Sequence, residues 1–189
     1  MFVISGSSGV GKGTINKAVL SLLNDIKLSV SATTRAARAG EVDGRDYFFI
    51  TPEEFALKVK NDEFLEHARV YYHMYGTPKS YVFENLEKGY DVLLEIDVQG
   101  ALKVKEKMPD GVFIFIQPPS VEDLALRIQQ RGKDSWQSIQ DRLAACNEEM
   151  PMVKHYNYVV VNDRLDEAVN KVQAIIIAER CRVKNCVKE

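Results

Sequence analysis

The chain has 189 residues, 46% of them hydrophobic and 28% charged, with 25 Lys and Arg against 27 Asp and Glu and a net charge of −2. At about 150 residues per domain this is one domain, or one with a modest insertion, and the apolar content excludes a disordered chain. The balance of charge excludes a generic polyanion binder, so any phosphate site must come from local clustering.

Met1 to Ser5 reads as a short buried strand, Gly6 to Gly11 as a loop, and Lys12 to about Asn24 as a helix through Ile15, Val19 and Leu22. Leu28 to Ser31 is a second short strand. The pattern then breaks from Ala32 to Ser80, where glycines and aromatic residues such as Tyr47, Phe48, Phe49, Tyr72 and Tyr75 crowd strands that look short and antiparallel. One helix interrupts them at Thr51-Pro52-Glu53-Glu54, a capping box joined to a proline at the first helical position. Asp91 to Ile96, Val112 to Ile116 and Tyr158 to Val161 are apolar runs of the kind covered on both faces in a parallel sheet. Helices follow them from near Gln99, from Ser120, where Asp123 completes a capping box with the shorter acid, and from Leu165 to Val187. Gly132 to Ser138 is a second polar interruption. The predicted fold is therefore α/β, a parallel sheet flanked by helices. Its core spans 1–31 and 81–189, and a small mixed α/β domain is inserted over 32–80.

Cys146, Cys181 and Cys186 fit no zinc or redox spacing and no disulfide framework, which predicts reduced thiols in a cytoplasmic protein. No apolar run approaches the ~20 residues that span a bilayer. Phe2-Val3-Ile4 follows the first methionine without a basic region, so no signal peptide is expected. His67, His73 and His155 show no metal-ligand spacing.

The strongest local signal is strand, then Gly6-Ser7-Ser8-Gly9-Val10-Gly11-Lys12, then helix. Glycines let a backbone wrap a phosphate, main-chain N–H groups and the helix N-terminus point at the anion, and a lysine reaches the outer phosphates. Ser or Thr is expected next, where its hydroxyl meets Mg²⁺, but Gly13 stands there and Thr14 follows. Either Mg²⁺ is held through water and an acidic group, or Thr14 helps.

Ser31-Ala32-Thr33-Thr34-Arg35-Ala36-Ala37-Arg38-Ala39-Gly40-Glu41 and Gly44-Arg45-Asp46-Tyr47-Phe48-Phe49 resemble the guanylate kinase family closely. So do Phe64-Leu65-Glu66, Tyr75-Gly76-Thr77, Glu95-Ile96-Asp97-Val98-Gln99-Gly100, Pro118-Pro119-Ser120, Arg131-Gly132 and Asn162-Asp163. These matches run in family order to about residue 180, and the Gly-Lys-Gly-Thr of the loop is similar to bacterial-type members. Alanine at position 37 and His73-Met74 before Tyr75 are small departures.

The resemblance implies a P-loop NTPase-type core, a GMP-binding domain at 32–80, a lid at about 127–142, and transfer of a phosphoryl group from ATP to GMP with Mg²⁺. It implies that Gly6, Ser7, Ser8, Gly9, Val10, Gly11, Lys12, Gly13 and Thr14 bind ATP, with Arg127, Asn162 and Asp163 near the adenine. Ser31, Arg35, Arg38, Tyr47, Glu66, Tyr75, Thr77 and Asp97 would hold GMP. Lys12, Arg38, Arg131 and Arg142 would serve the transfer, and Thr14 and Glu95 the metal, through water. The implied partners are ATP and GMP, with dGMP an open alternative, and neither nucleic acid nor membrane.

The residue chemistry agrees with this. An ionised Glu66 accepts only, which suits the N1–H and N2–H donors of guanine, and Ser31 or Thr77 supplies a hydroxyl for the remaining edge. Arg35 and Arg38 offer forks for a phosphate, and Tyr47 and Tyr75 offer hydroxyls to it. Glu95 and Asp97 stand at the carboxyl end of a buried strand, where ligands gather in open α/β sheets, although capping the next helix is an alternative for them. Two competing readings are a kinase for another nucleoside or sugar phosphate, and a non-catalytic module that recognises phosphorylated peptides. Glu66 argues against the first, and the intact loop with Lys12 against the second.

Overall fold

The computed structural model describes residues 1–70, 72–130 and 136–183. The chain builds two sheets. The first is parallel, in the order β2 (Ile26–Leu28), β7 (Asp91–Glu95), β1 (Phe2–Gly6), β8 (Val112–Gln117), β9 (Tyr158–Val161). Its central strands are buried on both faces because alternate side chains enter separate cores. Phe2, Ile4, Ile114 and Ile116 join Ile15 and Val19 of α1 (Lys12–Leu22), Leu124 and Ile128 of α5 (Val121–Gln130), Cys146 of α6 (Trp136–Glu149) and Val172 and Ile176 of α7 (Leu165–Arg180). Val3, Phe113, Val92 and Leu94 face the other way. They meet Val82 of α3 (Lys79–Glu87), and Ala101 and Val104 of α4 (Val98–Lys107). Each fully buried Val, Leu, Ile or Phe among them contributes roughly 1.5–3 kcal/mol by burial.

Residues 32–78 supply the second sheet, ordered β4 (Phe48–Phe49), β3 (Ala32–Thr33), β6 (His73–Pro78), β5 (Phe64–Val70). Its pairs β3–β6 and β5–β6 are antiparallel, as the sequence predicts, but β3 and β4 run parallel. The glycine-containing stretch between those two strands is long enough to carry the chain back to the same end of the sheet. The helix α2 (Pro52–Lys60) covers this sheet with Phe55, whose ring stacks on Phe64 at 4.6 Å. The two sheets join through β5: Leu65 sits in the second core, and Lys107 of α4 donates to its carbonyl at 2.7 Å.

Helix starts follow the local sequence. Thr51 accepts from Glu54 N at 3.1 Å while Glu54 accepts from Thr51 N at 2.8 Å, a complete capping box with Pro52 behind it. At α5 the shorter acid behaves differently. Ser120 Oγ accepts from Asp123 N at 3.0 Å and donates to the Asp123 carboxylate at 2.6 Å, so the acid pairs with the cap hydroxyl. The second strand begins two residues and ends three residues earlier than its sequence pattern suggests, and α7 runs over Leu165–Arg180, with 184–187 of the expected helix outside the described residues. Trp136 to Ser138 open α6 instead of lying in the polar interruption.

Candidate active site

The loop between β1 and α1 is shaped by close approaches. At Gly6 a Cβ would stand 2.1 Å from the Ile116 carbonyl oxygen, and Gly11 adopts φ +101° as the residue before the helix. A Cβ there would meet Asn162 Nδ2 at 2.6 Å. That amide instead donates to the Val10 carbonyl at 2.8 Å, so Asn162, at the end of β9, braces the loop from behind. Arg127 of α5 donates to the Asn162 carbonyl at 2.8 Å and to that of Asp163 at 3.2 Å. Together with Gly9, Thr14 and Leu165 these residues line an open cavity of about 360 Å³ on the outer side of the loop.

Lys12 folds back on the loop, donating to the carbonyl oxygens of Gly6 and Ser7. Arg142 reaches the loop from α6 and donates to Ser8 Oγ at 3.3 Å. Arg131 lies outside the described residues, as do 132–135 of the expected lid and Cys186.

A second cavity, about 390 Å³, opens on the inner side. Gly6, Ser8 and Lys12 of the loop line it together with Ser31, Tyr47, Glu66 and Tyr75, and with Glu95 and Asp97 from the end of β7. The strand end of β7 thus meets the small sheet across one space. Thr14 lines the outer cavity instead, so the two metal candidates do not face each other. Glu95 Oε2 accepts from Asn16 Nδ2 at 2.8 Å. A Cβ on Gly13 would lie 3.5 Å from Glu95 Oε1, so the place a residue-13 hydroxyl would occupy adjoins this carboxylate. Among the described residues no cluster of His, Cys, Asp or Glu could cage a metal by itself. One carboxylate beside a phosphate loop is the donor set Mg²⁺ takes when substrate phosphates and water complete its shell, so the site fits that ion.

Glu66 is only 4% exposed. Thr77 Oγ1 donates to its Oε1 at 2.7 Å, and Gly100 of α4 lies beneath Oε2. Burial raises its pKa to about 7, against the pull of the Thr77 hydroxyl; nearby Asp97 pushes the same way as burial. Asp97 is also the N-cap of α4, accepting from Gly100 N at 2.7 Å, so the capping alternative is realised.

Arg35 is clamped. Glu41 takes both arms of its guanidinium at 2.9 Å, and Tyr47 and Phe49 present their rings to it. The paired bonds from Glu41 raise the Arg35 pKa, and Glu41 itself is lowered. Glu41 also accepts from Arg38 N at 2.7 Å, which fixes the loop while the Arg38 side chain stays exposed and off the cavity wall. Tyr47 and Tyr75 stand edge to face at 5.9 Å, with burial raising the Tyr47 pKa. Sequence reasoning assigned no role to Glu41, Asn16, Gly100 or Glu149, all of which touch the site. Only Glu41 carried a local signal, its three-residue spacing from Arg38 in a glycine-flanked loop.

The sequence profile of the guanylate kinase family matches residues 1–179. The chain is 58% identical over 185 residues to the guanylate kinase of Syntrophomonas wolfei subsp. wolfei, covering 98% of this chain and 95% of that one. It is 60% identical over 183 residues to the guanylate kinase of Caldanaerobacter subterraneus subsp. tengcongensis, covering 97% and 89%. The crystal structure of guanylate kinase from Anaplasma phagocytophilum matches with a TM-score of 0.81 at 37% identity, over 97% of this chain and 87% of that one.

Proposed function

The chain belongs to the guanylate kinase family and phosphorylates GMP to GDP at the expense of ATP, and from that premise we propose how its residues divide the work. The observation that carries the assignment is one cavity lined both by the loop with Lys12 and by Glu66, Tyr47 and Tyr75.

ATP phosphates rest on the main-chain amides of residues 6–14, with Lys12 turning from the loop carbonyls to the outer phosphates. Arg127, Asn162 and Asp163 form the wall of the outer cavity, where the adenine lies. GMP takes the inner cavity. Glu66 accepts from guanine N1–H and N2–H, Thr77 holds that carboxylate, and Ser31 serves the remaining polar edge. Arg35 and Arg38 take the GMP phosphate with the hydroxyls of Tyr47 and Tyr75. Asp97 lines this pocket while capping α4. Residues 32–80 act as the GMP-binding domain and about 127–142 as the lid, bringing Arg131 and Arg142 to the transferred group.

The chemistry needs little else. The acceptor is already a phosphate oxygen, so no side-chain base is required, and catalysis is positioning and charge stabilisation. Two like charges 4 Å apart cost about 4 kcal/mol at an effective dielectric of 20, so the cations must be in place before the substrates align. Glu95 would hold Mg²⁺ through water, with Thr14 a further hydroxyl on the loop. Mg²⁺ when bound neutralises phosphate charge.

Among the described residues no helix is long and apolar enough to cross a membrane. The proposed compartment is the cytoplasm, where free thiols such as Cys146 and Cys181 stay reduced.

Lys12→Met tests the division. We expect kcat to fall by about 10² or more while GMP affinity, measured by calorimetry, holds within about twofold. Undiminished turnover would remove Lys12 from the reaction.

A further inference from the structure

One carboxylate at the phosphate loop has no part in the scheme above. Glu149 closes α6, and Arg142, Ala145 and Glu149 recur on it at intervals of three and four residues, the spacing of one helix face. That face lies on the loop. Arg142 donates to Ser8, and Ala145 and Glu149 line the inner cavity with Gly6, Ser8 and Lys12. Among the described residues Glu149 Oε2 and Ser7 Oγ are both buried, and neither makes a hydrogen bond of good geometry.

Ser7 links the two charges. Its carbonyl accepts from Lys12 at 3.1 Å, and its hydroxyl is one of the groups that act on Glu149. Burial raises the Glu149 pKa, with Asp97 and Glu148 adding to the rise, while the Ser7 hydroxyl and the Lys12 ammonium lower it. A half-buried carboxylate beside a polyphosphate site is costly unless a cation is near; Lys12 acts on Glu149 in that sense, and Arg142 stands on the same helix face against Ser8.

We propose that Glu149 is a positioning residue that holds Lys12 in its folded-back resting place on the Gly6 and Ser7 carbonyls, in competition with the donor phosphates. The proposal rests on the reading of Lys12 as the cation of the donor site. An incoming nucleotide draws the ammonium away from a carboxylate, and a departing ADP gives it back. Glu149 therefore loosens ground-state binding of donor and product. Tight ground-state binding adds nothing to kcat, and in many enzymes slow product release caps it.

A double-mutant cycle on ADP binding to the full chain tests this without turnover. The proteins are wild type, E149Q, K12M and E149Q/K12M, with ADP titrated by calorimetry and melting curves recorded for each. E149Q keeps size and burial but removes the charge. It is expected to bind ADP about three- to tenfold more tightly, and the same change in the K12M background to alter Kd by less than about twofold. Damage to the fold would weaken binding, so tightening that depends on Lys12 is not a packing effect. E149A, expected in the same direction, serves if E149Q does not fold. Unchanged or weaker ADP binding by both variants overturns the proposal. Equal tightening in the K12M background also overturns it, because the effect is then direct repulsion between Glu149 and phosphate. If K12M alone binds ADP like wild type, the reading of Lys12 fails and the proposal falls with it. Loss of ADP affinity in K12M with no effect of E149Q fails the proposal only.

Discussion

Gly100 and Glu66 share one space: a Cβ on Gly100 would stand 2.7 Å from Glu66 Oε2 and 3.0 Å from Asp97 Oδ1. The first turn of α4, capped by Asp97, is thus the floor on which the selecting carboxylate rests. Gly100→Ala should displace Glu66 and cost about 1–3 kcal/mol of stability through overpacking. Its GMP affinity should fall about tenfold or more while ADP affinity stays within about twofold. Separate calorimetric titrations with the two nucleotides check the split, and equal losses would point to a general defect.

The burial of Glu66 makes GMP recognition pH-dependent. Its pKa of about 7 lies above the ordinary 4.5, so the neutral form stabilises the free enzyme. That stabilisation, roughly 3 kcal/mol, is complete below pH ~4.5 and is lost as pH rises through ~7. GMP needs the ionised form, so its affinity should weaken about tenfold between pH 8 and pH 6. The GMP phosphate titrates in the same window, at about pH 6. The ratio of wild type to Glu66→Gln at each pH isolates the side chain. A ratio that does not move would place the Glu66 pKa outside this range.

The Asn162 amide occupies the room that a residue-11 side chain would need. Gly11→Ala adds a Cβ to a left-handed residue and pushes on the brace of Val10. It should lower kcat/KM for ATP by about ten- to a hundredfold, from about 1–3 kcal/mol of strain in the loop. GMP titration should be nearly unaffected, which steady-state kinetics with each substrate varied will show.

Gly13 leaves open the place of the expected metal-directed hydroxyl, beside Glu95. Gly13→Ser fits sterically, because its Cβ would be in ordinary contact at 3.5 Å. A hydroxyl there should tighten Mg²⁺–ADP about threefold or more, read from ADP titrations at stepped Mg²⁺. No change would remove position 13 from the metal shell.

What was legible in the sequence was local. The run Phe2 to Gly6, the loop and Lys12 are contiguous, so spacing alone placed a phosphate cradle between strand and helix. Asp91–Glu95 and Val112–Gln117 were legible because strands buried on both faces are apolar throughout. The parallel pairing of Ala32–Thr33 with Phe48–Phe49 was not, since two-residue strands have no periodicity to read. Glu41 on Arg35 becomes visible only when the loop between them closes, and Glu149 on the phosphate loop only when α6 docks. The second depends on tertiary packing, which leaves no trace in residue spacing, and the first showed only as the three-residue spacing of Glu41 from Arg38.

The selection of guanine by the Glu66 carboxylate is tested most directly by the GMP-to-AMP ratio of kcat/KM in wild type and in Glu66→Gln. An amide presents a donor to guanine N1–H and leaves a buried group unpaired, so the ratio should collapse by about 10² or more, mainly through loss of GMP use. A ratio equal to that of wild type would show that another group reads the base.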